Sequence, residues 1–138
     1  MSATPPPAFT EGFAKLVGIE VTDVSEEEIR AVVPVRPELL QPMGLVDGGV
    51  YATIAEDVCS AATFMAVNAE RGAMAMGLSN QTSFVRPITE GTIHAVARPR
   101  HRGRTTWIWE VDFLDDAERL CALSRMTIAV REPPPDRA

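Results

Sequence analysis

The chain has 138 residues, 46% of them hydrophobic and 23% charged, which fits one globular domain with one core. Its formal charge of −6 argues against a general nucleic-acid binder, and no apolar run reads as a membrane span of ~20 residues. Cys59 and Cys121 have neither metal nor redox spacing and read as buried thiols in a reducing compartment. With no basic and apolar leader at its start, the protein is expected in the cytoplasm.

Prolines crowd both ends, at positions 5–7 and 133–135, so disordered tails are expected at residues 1–8 and 132–138 around a single domain over 9–131. Residues 9–16 suggest a short leading helix with Thr10 as a possible cap. Ile19, Val21 and Val24 suggest a first strand. Ile29, Ala31, Val33 and Val35 alternate as a second, which Pro34 either makes an edge or ends early. From residue 48 to 69 the spacing turns helical through Val50, Ile54, Val58, Ala61, Ala62, Met65 and Ala66, with no proline. Such a helix is about 30 Å long, and being apolar around most of its circumference it should be wrapped by other structure. Residues 76–85, 92–100, 105–114 and 119–130 then alternate as strands, punctuated by Gly91, Gly103 and the Asp115–Asp116 pair. The expected fold is α+β, a mostly antiparallel sheet curled around one long helix.

The chemistry gathers at the mouth of that helix. Gly48 and Gly49 open it, leaving its first N–H groups bare to hold an oxyanion, and Glu56 lies about two turns further on. An oxyanion cradle and a carboxylate together suit acyl transfer. Eight helical residues separate Gly48 from Glu56 by about 12 Å, whereas both would have to lie about 3 Å from the reacting group. Two subunits must therefore share the site, and a homodimer is the expected minimum. Asp57 lies about 100° around the helix from Glu56 and is assigned to structure or an ion pair. Arg98, Arg100, Arg102 and Arg104 either share one strand face or fan out around a turn at Gly103. Trp107 and Trp109 share a strand face and suit core or interface packing. Two histidines, His94 and His101, are too few for a metal site, and none is expected.

The run Gln41-Pro42-Met43-Gly44-Leu45-Val46-Asp47-Gly48-Gly49, followed seven residues later by Glu56, resembles the hotdog-fold acyl-CoA thioesterases. The likeness is to the branch acting on 4-hydroxybenzoyl-CoA, 1,4-dihydroxy-2-naphthoyl-CoA and phenylacetyl-type thioesters. It continues through residues 80–87, 100–105 and 107–111 and covers about residues 15–131. The resemblance implies Glu56 as nucleophile or general base, the Gly48 N–H as oxyanion donor and Gln41 as an orienting group for the thioester. Thr53 and Ser60, at i−3 and i+4 from Glu56, would line the acyl pocket or position water. Arg86, His101, Arg102, Gly103, Arg104 and Thr105 would hold the phosphates and nucleotide of coenzyme A, which enters as part of the substrate, with no resident cofactor. An apolar sheet bearing the tryptophans further suggests packing of two dimers into a homotetramer.

One position departs from the family pattern: Asp47 stands where the family carries His. An ionised Asp cannot donate towards the substrate and repels a developing oxyanion, or it caps its own helix. Either role predicts weaker turnover than a His would give. The alternative on the same scaffold is a catalytically impaired acyl-CoA-binding protein.

Overall fold

A computed structural model describes residues 11–133 and 135. The expected tail at 1–8 lies outside them, as do Thr10 and most of the expected C-terminal tail. The leading helix α1 spans Phe13–Val17, with no side-chain cap at its start and a backbone cap at its end. Gly12 occupies its N-cap position without a side chain to offer, and Gly18, at φ 92°, turns its N–H back to the Ala14 carbonyl. Strands β1 (Glu20–Val24) and β2 (Ile29–Pro34) pair antiparallel. Pro34 ends β2 and does not mark an edge, since β2 pairs with a strand on either side. A single 3-10 turn, Pro37–Leu39, then leads into the loop that carries Gln41, closed by a bridge between Leu40 and Val46.

Helix α2 runs Gly48–Arg71, two residues past the expected end, and stops where Gly72 adopts the left-handed conformation at φ 66°. By length and composition it is apolar enough to cross a membrane, with a mean hydropathy of 1.3, contrary to the sequence-based expectation. Its place in the fold explains the composition. The remaining strands, β3 (Met74–Phe84), β4 (Thr92–Arg102), β5 (Thr106–Leu114) and β6 (Leu120–Arg131), curve around it, and Ile54, Ala55, Cys59 and Thr63 are fully buried against them. The wrapping is incomplete. An arc of α2 through Gly49, Thr53, Glu56, Asp57, Ser60 and Phe64 is exposed or half-buried.

The six strands form one antiparallel sheet in the order β1-β2-β4-β5-β6-β3. Strand β3 is thus an edge, and every one of its eleven residues is exposed or half-buried. Met76 and Leu78 on it, with Val85 just beyond, are more than half exposed. The tryptophans face inward. Trp109 is buried, its indole N–H donating to Thr63 Oγ1 at 2.8 Å, and Trp107 stacks on it with ring centroids 6.1 Å apart. The outer face of β4, β5 and β6 instead carries Arg98, Glu110, Asp112 and Arg125 in register. The apolar sheet face that suggested a tetramer is therefore already spent on the core. Both cysteine thiols are buried as expected, and burial pushes both thiol pKa values up.

Candidate active site

The loop before α2 is folded on itself. The Gln41 N–H reaches the Leu45 carbonyl at 2.7 Å, Gly44 N–H returns to the Gln41 carbonyl at 2.9 Å, and the Gln41 side-chain oxygen accepts from Met43 N–H. That leaves the Gln41 amide nitrogen as a donor without an acceptor among the described residues. The loop ends at Asp47, whose backbone is extended and whose Oδ1 accepts from Gly49 N–H at 2.8 Å, an N-cap in full. Capping, one of the two roles expected for Asp47, is what the structure shows. Among the described residues the Gly48 N–H finds no acceptor within the chain. A Cβ at Gly48 would stand 2.6 Å from the Phe84 ring, so any larger residue there would have to push that ring aside. Phe84 reaches it from the end of β3 and lies 6.0 Å from the Tyr51 ring.

Glu56 is exposed on the open arc of α2 and leans against β3. A Cβ at Gly77 would meet its Oε1 at 3.1 Å, so the bare backbone of β3 makes room for it, and Ser60 Oγ lies at an ordinary contact distance of 3.8 Å from the same point. Asn80, three residues on, donates to the Ala52 carbonyl at 2.8 Å, at the helical turn that leads to Glu56. Asn80 is itself held by Thr82 Oγ1 at 2.8 Å, which shares a 2.7 Å hydrogen bond with Ser124. Gly77 and Asn80 are thus positioning residues for Glu56 that sequence reasoning missed. The only available hint was that Asn80 opens one of the segments carrying the resemblance. Thr53 turns its hydroxyl back to the Gly49 carbonyl at 2.8 Å, whereas Ser60 Oγ is buried without a partner among the described residues. Of the two roles assigned to Asp57, structure or an ion pair, no ion pair is found among the described residues, and there its Oδ2 is buried and unpartnered. Burial first, then the neighbouring Glu56 charge, raises the Asp57 pKa.

The residues expected to hold coenzyme A divide between the two ends of α2. Arg86 is exposed close to the N-terminus, where Phe84 covers Gly48 and the Ile88 carbonyl receives Val46 N–H. The β4–β5 turn carrying His101, Arg102, Gly103, Arg104 and Thr105 lies at the C-terminus, where Arg71 donates to the Arg104 carbonyl at 2.5 Å. Gly103 is required in this turn, since a Cβ would stand 2.8 Å from the Thr106 carbonyl oxygen. A register shift between Pro99 and His101 breaks the alternation, so the four arginines do not share one strand face. Each has an acceptor within the chain: Arg98 lies 3.9 Å from Asp112, Arg100 3.8 Å from Glu110 and Arg104 3.5 Å from Glu132, while Arg102 reaches the Glu26 carbonyl and covers the Trp107 ring. These exposed pairs are weak and leave the guanidinium groups available.

With this geometry in place, comparison with known proteins is decisive for the family. The chain matches the thioesterase superfamily over residues 43–122. It is 30% identical over 122 residues to the 1,4-dihydroxy-2-naphthoyl-CoA hydrolase of Escherichia coli, covering 86% of this chain and 88% of that protein. The structure of a thioesterase from Haemophilus influenzae superposes with a TM-score of 0.84 at 30% identity, over 91% of this chain and 87% of that one. A mutant thioesterase from Pseudomonas aeruginosa superposes with a TM-score of 0.85 at 28% identity, over 94% and 96% of the two chains. The protein belongs to the thioesterase superfamily, as a thioester hydrolase of hotdog fold.

Proposed function

We propose that this hydrolase cleaves an aromatic or medium-chain acyl-CoA to the free acid and coenzyme A, at a site shared by two copies of the chain. The carrying observation is that one helix holds both a Gly48 N–H unpartnered among the described residues and an exposed Glu56, about 12 Å apart by helical rise. They serve one carbonyl only if Glu56 of one protomer faces Gly48 of the partner subunit. The bare β3 edge beside both residues, with its exposed Met76 and Leu78, is the surface such a pairing would cover.

In that arrangement the partner's Gly48 N–H and the positive end of its helix receive the thioester oxygen as it becomes an oxyanion. Glu56 then acts in one of two ways. It attacks the carbonyl carbon, expels the thiolate and leaves a mixed anhydride for water to open; or it takes a proton from a water molecule that makes the attack itself. The free amide nitrogen of Gln41 donates towards the same oxygen. Within one chain, Arg86 and the 101–105 turn are separated by the length of α2, about 36 Å. Antiparallel pairing brings the partner's Arg86 to within about 22 Å of that turn, the span from Glu56 to the helix end. Both groups then lie along one path for the phosphates of coenzyme A.

The test is complementation. Wild-type protein should release thiol from benzoyl-CoA, and Glu56→Gln and Gly48→Val homodimers should not. Mixed, refolded dimers of the two variants rebuild one intact site in each heterodimer and should recover up to about half the activity per heterodimer. No thiol release from any acyl-CoA by the wild type, or no recovery in the mixture, overturns the proposal.

A further inference from the structure

At the opposite end of α2 from Gly48 lies a cavity of about 760 Å³, a size that suits a small organic ligand. It opens between the C-terminal half of α2, the β1–β2 turn and the β4–β5 turn. Its lining on α2 begins at Ala62, about 9 Å past Glu56 by helical rise, and ends at Arg71, about 22 Å past it. Val24, Ile29, Met65 and Val67 give it aliphatic walls. Trp107 and Trp109, the only tryptophans in the chain, also line it. Its charged groups are Arg71, Arg102 and Arg104, set against Glu26 and Glu70. Arg102 is already engaged, reaching the Glu26 carbonyl and covering the Trp107 ring at 5.7 Å. Arg71 is only partly so. One terminal nitrogen donates to the Arg104 carbonyl at 2.5 Å, but Nε is buried and makes no hydrogen bond among the described residues. Glu132 Oε1 stands 3.2 Å from that Nε, outside hydrogen-bonding geometry, and its carboxylate is half exposed to water. A buried cationic donor without an acceptor is costly, so what the cavity lacks is an acceptor at its arginine end.

We propose that this cavity is a second ligand site, apart from the hydrolytic one, and that it takes a free aliphatic monocarboxylate of medium chain length, with the chain among the aliphatic walls and the carboxylate on Arg71 Nε. Three features favour that class over a nucleotide. A base would need an open aromatic face, whereas Trp107 is stacked on Trp109 and covered by Arg102. Flexible methylenes fill irregular space between Val, Ile and Met without any polar partner. Glu26 and Glu70 offset two of the three arginines, and the one positive charge in excess matches a single carboxylate better than several phosphates. The site does not depend on what Glu56 does to a thioester, and its occupancy can be read without turnover.

Because both tryptophans line the cavity, intrinsic tryptophan fluorescence reports directly on what enters it. Titration of the wild-type protein with decanoate should give a saturable change. Decanol keeps the chain and lacks the carboxylate, and it should bind about tenfold more weakly or worse. Arg71→Met should bring decanoate down to the affinity of decanol. Ala66→Phe fills the cavity from an exposed helix position and should block both ligands, and thermal melts check that both variants fold. Adenosine 3′,5′-bisphosphate, the nucleotide end of coenzyme A, should not displace decanoate. No saturable response to decanoate, equal affinities for decanoate and decanol, or an affinity for decanoate unchanged in both variants overturns the inference. Displacement of decanoate by the nucleotide reassigns the cavity to coenzyme A and overturns it too. Thiol release from benzoyl-CoA is assayed separately on the same protein, so either conclusion can fall without the other.

Discussion

Asp47 carries the sharpest quantitative consequence, and Asp47→Asn isolates it. Asn caps a helix about as well as Asp, so the 2.8 Å bond from Gly49 N–H survives while the charge is removed. A carboxylate about 6 Å from the developing oxyanion opposes it by roughly 0.7 kcal/mol in bulk water, rising to roughly 2.8 kcal/mol at an effective dielectric near 20. Those limits correspond to about threefold and about a hundredfold in rate. Asp47 is exposed in the single chain, and cover from a second protomer moves the effect towards the upper limit. The charge acts on the oxyanion more than on the neutral thioester, so the gain should appear mainly in kcat. Asp47→His should gain as much or more by adding a donor, but it gives up the cap at about 1 kcal/mol, a few degrees of Tm. The assay is thiol release from benzoyl-CoA, followed with a chromogenic thiol reagent. An Asp47→Asn protein that folds normally and is no faster than wild type would refute the electrostatic argument.

Further outcomes follow from the same contacts. Gly77→Ala places a methyl 3.1 Å from Glu56 Oε1 and must shift that carboxylate by a few tenths of an ångström, so kcat should fall by about tenfold with little change in Tm. Thr63→Val leaves the buried Trp109 indole N–H without its 2.8 Å acceptor and should lower unfolding stability in urea by about 1–3 kcal/mol. Asp115 is held below its usual pKa, first by the Arg119 backbone N–H and also by the Arg119 side chain and the Ala117 N–H. Its contribution is therefore present above the unfolded pKa of about 4 and is lost as pH falls through the lower folded one. Asp115→Asn should melt below wild type at neutral pH, and the gap should close in acid.

Much of the fold was legible because its signals are local. Helix α2 announced itself by period, by the absence of proline and by the Asp47-Gly48-Gly49 start, and its cap is the one expected. The strands alternate, and their observed bounds lie within about two residues of the expected ones. What escaped notice depends on which distant segments meet. No feature of residues 74–84 says that this strand pairs only with β6 and ends the sheet. The inward turn of Trp107 and Trp109 is set by register against β4 and β6, and the shift at Pro99 that separates the arginines arises from the same pairing. Gly77 reads in sequence as a weak point of a strand; its meaning comes from Glu56, twenty-one positions earlier. Asp57 was assigned to structure or an ion pair, and a linear pattern cannot show that α1 folds over that flank.

The open flank of β3 also bears on how the protein must be handled inside a cell and at the bench. The unpaired side of this eleven-residue strand, where outward amides and carbonyls alternate with those bonded to β6, is dotted with methionine and leucine and is a template for any stray extended chain. Newly synthesised chains are exposed to that hazard until the strip is covered. Substitutions along it should announce themselves first as poor solubility and precipitate, before any fault in chemistry can be measured.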